Sequence, residues 1–233
     1  MNGEPFLRIA ASGTATAHVK QPLPAILIIP PLFDEANRLR RTLVLMMHTL
    51  AGNGHDCLLP DLPGQNDSLL PNDLATLSLW RDALTTFSTT IDGPLMTASW
   101  RGGALIDDAA NSAIGHWRMA PIAGSSIVRA MVRTRLAGDK EAGRQSTAES
   151  IRASAADGPV ELAGYHLCST MIDQLETATP ATPTPLRTVA LGIGENKVTG
   201  SALWLRAEPG EDRAMATAMA ADIHAWSSTC AAG

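Results

Sequence analysis

The residues with the most chemical potential in this chain are Ser99, Arg101 and Gly103, set two apart in Thr97-Ala-Ser-Trp-Arg-Gly-Gly103. Small–x–apex–x–small is the spacing of a nucleophile elbow, where a strand bends sharply into a helix and projects the apex side chain. The flanking positions must be small because strand and helix pack almost in contact there. With Arg101 as apex, Ser99 and Gly103 meet that demand. With Ser99 as apex, the flanks become Thr97 and Arg101, a guanidinium is forced into the helix–strand contact, and the strand loses two residues. Sterics favour Arg101. The chemistry then changes, because a guanidinium stays protonated at physiological pH and has no lone pair with which to attack. Ser99 is the candidate catalytic nucleophile of the second frame.

Two loops belong with this turn. Pro31-Leu32-Phe33 follows an apolar run, and the backbone N–H of Leu32 or Phe33 is a candidate oxyanion donor. Glu35 stands just behind it, and Gly102 opens the segment after Arg101. These residues, with Arg101, make up the candidate ligand or oxyanion site. Asp61-Leu-Pro-Gly-Gln-Asn-Asp-Ser68 is the other loop. Arg101 at the start of a helix is a physically sound anion site. A carboxylate from Glu35 or Asp61 would instead neutralise it and tie two loops together. The complement of a Ser-based site is missing: of His18, His48, His55, His116, His166 and His224, none lies between Leu186 and Ala214, where a base before the last helix belongs. The motif set contains no H-E-x-x-H, Walker loop or G-x-G-x-x-G, so no metal or cofactor is expected.

The elements that must position these residues alternate. Ala25–Ile29 is a continuous apolar run that suits a strand buried on both faces. A helical pattern follows through Leu43, Met46, Met47 and Leu50. His55–Leu59 is the next strand, Leu74–Phe87 a helix, Leu95–Ala98 a strand, and an Ala/Leu/Ile helix is expected from Gly102. Trp117–Ala123 reads as a further strand. Ser125–Asp157 is a helical insert with a capping box at Ser146-Thr-Ala-Glu149, Gly158–Leu167 is extended, and Ser169–Leu175 is helical. Ala178–Pro185 is a Pro/Thr linker. Val189–Ile193 and Ala202–Leu205 are the last strands, Glu211–Trp226 the closing helix, and Ser227–Gly233 should fray. Phe6–Val19 suits one or two edge strands. The class is α/β, a mostly parallel doubly wound sheet with a helical cap or insert at about 125–175, within one domain spanning 1–233.

Composition bounds the rest. A net charge of −5 leaves no basic footprint for nucleic acid. Cys57, Cys168 and Cys230 are odd in number and lack C-x-x-C spacing, which suits a reducing compartment. With no apolar run near 18 residues and no signal-peptide pattern, a cytoplasmic protein without a membrane span is expected.

The run Pro30-Pro-Leu-Phe-Asp-Glu-Ala-Asn-Arg-Leu-Arg-Arg41, followed by Asp61-Leu-Pro-Gly64, resembles the exosortase A system-associated hydrolases of the second type, which have the α/β-hydrolase fold. Arg133-Thr-Arg-Leu-Ala137 and Val160-Glu-Leu-Ala-Gly-Tyr-His-Leu167 are similar to that family's text, and Ser99-Trp-Arg-Gly-Gly-Ala104 matches its elbow, with Arg at the apex. Asp34, Ala36 and Asn66 depart from its pattern. The resemblance implies a bacterial protein linked to exopolysaccharide and protein-sorting machinery, and names no substrate. Two readings follow. One is an ester or thioester hydrolase with an atypical site, and the other is a non-catalytic binder of a small or lipid-linked anion. The sequence leaves the oligomeric state open.

Overall fold

A computed structural model describes residues 5–12 and 23–231. Its centre is β2 (Ala25–Ile29), every residue of which is buried. Strand alternation sends Ile26 and Ile28 into one apolar core and Leu27 and Ile29 into another. Each such side chain contributes about 1.5–3 kcal/mol by leaving water, so two-sided burial fixes this run at the middle of the sheet. β2 pairs in parallel with β3 (Cys57–Pro60) and with β4 (Leu95–Trp100). The seven-stranded order is β1 (Phe6–Ile9), β3, β2, β4, β5 (Ala113–Met119), β8 (Leu186–Leu191) and β9 (Lys197–Val198). Among the described strands of this sheet, β1 alone runs antiparallel to its neighbour.

α1 (Asp34–Gly52) and α6 (Arg213–Ala231) cover one face, closing over Trp100 and Trp117 with Leu43, Met46, Met215, Met219 and Ile223. On the other face lie α2 (Leu77–Ser88), α3 (Gly124–Glu141) and α5 (Ser169–Thr177), which share a core with Leu27, Ile29, Trp80, Leu84 and Met131. Between β5 and β8 the chain builds its insert from α3, α4 (Ala148–Ser154), the hairpin β6 (Val160–Leu162)–β7 (Tyr165–Leu167), and α5. The insert reaches over the carboxyl end of the sheet, where Tyr165 of β7 meets the Phe33 ring at 5.3 Å between centroids.

The structure corrects four local expectations. The segment after Gly102 forms two short 3₁₀ turns, Arg101–Leu105 and Asp107–Ala109, rather than a long helix. Asp107 and Asp108 turn to Arg118 and Arg81, and those long-range ion pairs outweigh local helix propensity. Ala202–Leu205 is no strand; Leu203–Leu205 is a 3₁₀ turn that buries both Leu203 and Trp204, and the last strand is Lys197–Val198. The capping box is Thr147 with Ser150, one residue later than expected. Ser227 onward continues α6 as far as Ala231, because Ser227 is buried and Trp226 donates to the His116 carbonyl at 3.0 Å. The edge-strand expectation for Phe6–Val19 is met at Phe6–Ile9, and its part from residue 13 lies outside the described residues.

Candidate functional site: an arginine at the elbow

β4 ends at Trp100, and the next residue, Arg101, has φ 54°. That left-handed conformation costs a non-glycine residue about 1–2 kcal/mol, so the surroundings must enforce it. They do so at the flanks. A Cβ on Gly103 would lie 2.5 Å from the Pro30 carbonyl oxygen and 2.6 Å from that of Ile29, both backbone atoms of the neighbouring strand end. A Cβ on Gly102 would meet Ile127 of α3 at 2.6 Å. Arg101 is therefore the tip of the bend between β4 and the turn that follows it.

The Arg101 guanidinium grips Glu35 with two bonds, Nε to Oε2 at 3.1 Å and Nη2 to Oε1 at 3.2 Å. Its Cζ lies 5.1 Å from the centroid of the Trp204 ring, within cation–π range. Trp204 is itself anchored, since its carbonyl accepts a bond from Arg38 Nη1 at 2.8 Å, and Arg38 also pairs with Asp34. Arg101 and Glu35 keep 17% and 25% of their side-chain surface, so the pair is mostly covered but not sealed. Glu35 sits in the first turn of α1, where a carboxylate is favoured by the helix dipole.

Leu32 and Phe33 are buried, and the Phe33 ring packs between Trp80, at 5.4 Å, and Tyr165. Phe33 also has positive φ, 58°, so the chain turns sharply into α1 there. Burial pushes the Tyr165 phenol above its usual pKa, helped by the charge of Asp34 and opposed by Arg38. Asp61 is not Arg101's partner: it accepts from Asn66 Nδ2 at 2.7 Å and faces Arg40 at 3.5 Å. Asn66 has φ 48°, a left-handed region that Asn tolerates better than most residues.

Ser99 lies inside β4, beside Ile29 on one strand and Arg118 on the other, with no exposed surface. Its hydroxyl donates to Asp107 Oδ2 at 2.6 Å. Asp107 in turn receives Arg118 Nε at 2.8 Å and Nη2 at 2.6 Å, and Arg118 Nη1 donates to the Ala181 carbonyl at 2.6 Å. Both charges are buried, 3% and 0% exposed. Sequence reasoning missed this pair and the Trp204 roof. An arginine in the middle of an apolar strand was the available signal, for a buried guanidinium demands a carboxylate.

No imidazole joins either Ser99 or Arg101 among the described hydrogen bonds. His116 is bonded to Thr97 Oγ1 at 2.8 Å, and burial lowers its pKa against the pull of Asp107. His55 and His224 bond each other at 2.9 Å. His166 is exposed on β7. Among the described residues no group of His, Cys, Asp and Glu is poised to hold a metal ion.

No protein-family model and no curated protein matches the chain. Solved structures do. A soluble variant of monoglyceride lipase from Saccharomyces cerevisiae, in complex with a substrate analogue, aligns over 97% of this chain and 91% of its own, with TM-score 0.56 and 12% identity. The chain has the α/β-hydrolase fold. Mouse α/β hydrolase domain-containing protein 10 aligns over 79% of this chain and 71% of its own, with TM-score 0.47 and 16% identity. Est1E from Butyrivibrio proteoclasticus, with ferulic acid bound, aligns over 54% of this chain and 52% of its own, with TM-score 0.42 and 18% identity, so this chain spans about half the length of that protein. Arg101 follows directly on β4, which pairs with β2 and β5 inside the sheet. No helix among the described residues is long and apolar enough to cross a membrane.

Proposed function

We propose that this chain is a hydrolase-fold protein that binds an anionic ligand rather than cleaving an ester. The observation that speaks against cleavage is Arg101 itself, and because Glu35 neutralises it the ligand's charge must be met elsewhere on the chain. Arg101 occupies the elbow apex with the backbone of a nucleophile, and its side chain is committed to Glu35 and Trp204. Acyl transfer needs a nucleophile and a base within hydrogen-bond reach. Of the two hydroxyls of the elbow segment, Ser99 is spent on Asp107 and Thr97 is bonded to His116, both buried inside the sheet. The Arg101–Glu35 pair is then a clasp between the elbow and the start of α1, the loop that would form the oxyanion hole. The short motifs shared with exosortase A system-associated hydrolases place Arg at the same point of the elbow, and on that likeness we assign the chain to an exopolysaccharide or protein-sorting context in the cytoplasm.

A second reading keeps ester or thioester hydrolysis. It is favoured by the retained backbone of the elbow and by the alignment with a lipase over nearly the whole chain. One experiment separates the two. Wild type, Ser99→Ala and Arg101→Ser are assayed on p-nitrophenyl butyrate and with a serine-directed fluorophosphonate. Binding without cleavage requires wild-type turnover at the buffer rate and no label. Arg101→Ser should remain silent as well, for it restores a hydroxyl without a base. Turnover by wild type that disappears in Ser99→Ala establishes the hydrolase instead.

A further inference from the structure

Away from the elbow, α3 and α4 enclose a groove of about 500 Å³, within the size range of small-molecule sites. Its floor is apolar, made by Val132 and Leu136 of α3 and Ala148 at the start of α4. Its rim is cationic: Arg129 and Arg133 of α3 and Arg152 of α4. No carboxylate lines it, although the whole chain carries a net charge of −5.

The three arginines are not spent alike. Arg152 is paired with Glu176 of α5 at 2.6 Å. Arg129 reaches only its own helix, the Ser125 carbonyl and the Ser126 hydroxyl, both at 3.2 Å. Arg133 belongs to none of the ion pairs among the described residues. Arg129 and Arg133 are four apart on one helix, so they sit side by side and repel. Two adjacent guanidiniums with no acidic partner, at the lip of an apolar trough, form the complement of a molecule with a negative head and an alkyl tail.

We propose that this groove binds a single-chain anionic amphiphile, its carboxylate or phosphate head held by Arg129 and Arg133 and its chain laid along Val132, Leu136 and Ala148. A guanidinium suits either head, because it offers paired N–H donors to two oxygens. A neutral alcohol of the same length lacks the charge, and inorganic phosphate lacks the tail. The site is independent of the elbow and supplies the anionic ligand that the reading above calls for.

The test is calorimetric titration of the full chain with decanoate, decyl phosphate, decanol and inorganic phosphate, each below its micelle threshold. At least one of the two anionic amphiphiles should bind, and which of them binds tells a fatty acid from a phosphorylated lipid as the source. Decanol and inorganic phosphate should bind at least tenfold more weakly. Arg129→Ala/Arg133→Ala should weaken binding at least tenfold, and Leu136→Asp should abolish it. Arg129 and Arg133 are exposed and Leu136 is half-buried against the core, and unaltered melting shows that each variant folds. Binding that survives both variants, equal binding of inorganic phosphate, or binding confined to anionic vesicles overturns the proposal, as does no binding at all. The ester assay on the same samples keeps the outcomes apart, since turnover at the elbow leaves this groove untouched and a silent groove leaves the elbow silent or active on its own account.

Discussion

Asp107→Asn should destabilise the protein far more than its single-atom change suggests. The substitution keeps the shape of the side chain and removes its charge, leaving the Arg118 guanidinium, 3% exposed, with no counter-ion inside the sheet. The Ala181 carbonyl still accepts from Nη1, but a neutral acceptor does not balance a buried cation. Breaking one side of a buried ion pair costs about 3–5 kcal/mol. For a chain of this length each kcal/mol moves the melting midpoint by about 2–4 °C, so the loss should be about 6–20 °C. Urea unfolding followed by tryptophan fluorescence measures it, since Trp80, Trp100 and Trp117 are all fully buried. The companion is the triple change Asp107→Leu/Arg118→Met/Ser99→Ala, which removes both charges and the hydroxyl that would otherwise lose its acceptor. Stability should return to within about 2 kcal/mol of wild type, because buried pairs often break even against well-packed apolar residues. A cost below about 1 kcal/mol for Asp107→Asn, or a triple variant as weak as the single one, would refute the assignment of Arg118 and Asp107 as one closed electrostatic unit.

Two further outcomes follow from the same geometry. Gly103→Ala should yield little folded protein or lose several kcal/mol in chemical unfolding, because its Cβ would meet two backbone oxygens that cannot step aside. Gly138→Ala, with nothing within 4 Å of the new methyl in the last turn of α3, should gain about 0.5–1 kcal/mol; equal effects at the two sites would refute the packing reading of the elbow. In the pH range below about 6.5, stability should fall with acid. Burial lowers the pKa of His55, opposed by its bond to the Pro24 carbonyl and aided by His224, and burial likewise lowers that of His116. Both stay neutral in the fold while the unfolded chain takes up protons near 6.5, so their contribution is full above that pH and is lost below it, at up to about 1.4 kcal/mol per unit for each. His55→Asn/His116→Asn should flatten the slope of stability between pH 5 and 6.5, and an unchanged slope would assign it to other groups.

Much of the scaffold was legible because single residues had one physical option. Five apolar residues ending in Ile28-Ile29 can only be a strand covered on both faces, and Gly103 two after Arg101 could only mark a close approach. The partner of Arg101 was legible only as a pair of candidates. Glu35 and Asp61 follow β2 and β3, on the same side of β4, and the choice is made by Arg40 and Asn66, which capture Asp61. The turns after Gly102 were misread because Ala104-Leu-Ile106 is good helix text. What stops the helix is a demand from β5, eleven residues on, where Arg118 needs Asp107. Trp204 was misread for a similar reason: a short apolar run fits a strand as well as a turn, and its burial against α1 is a tertiary fact.

The two edges of the sheet bear on how this molecule keeps to itself. A long open edge invites a second chain to extend the ladder and so seeds fibres. Here one edge is β9, two residues long and begun by a lysine. Among the described residues the other is β1, four residues that alternate exposed and half-buried, with Arg8 held sideways by Asp56 at 2.5 Å. Neither edge presents a flat apolar template. A central strand as fibre-prone as Ala25–Ile29 can therefore be tolerated, since its backbone is paired on both sides.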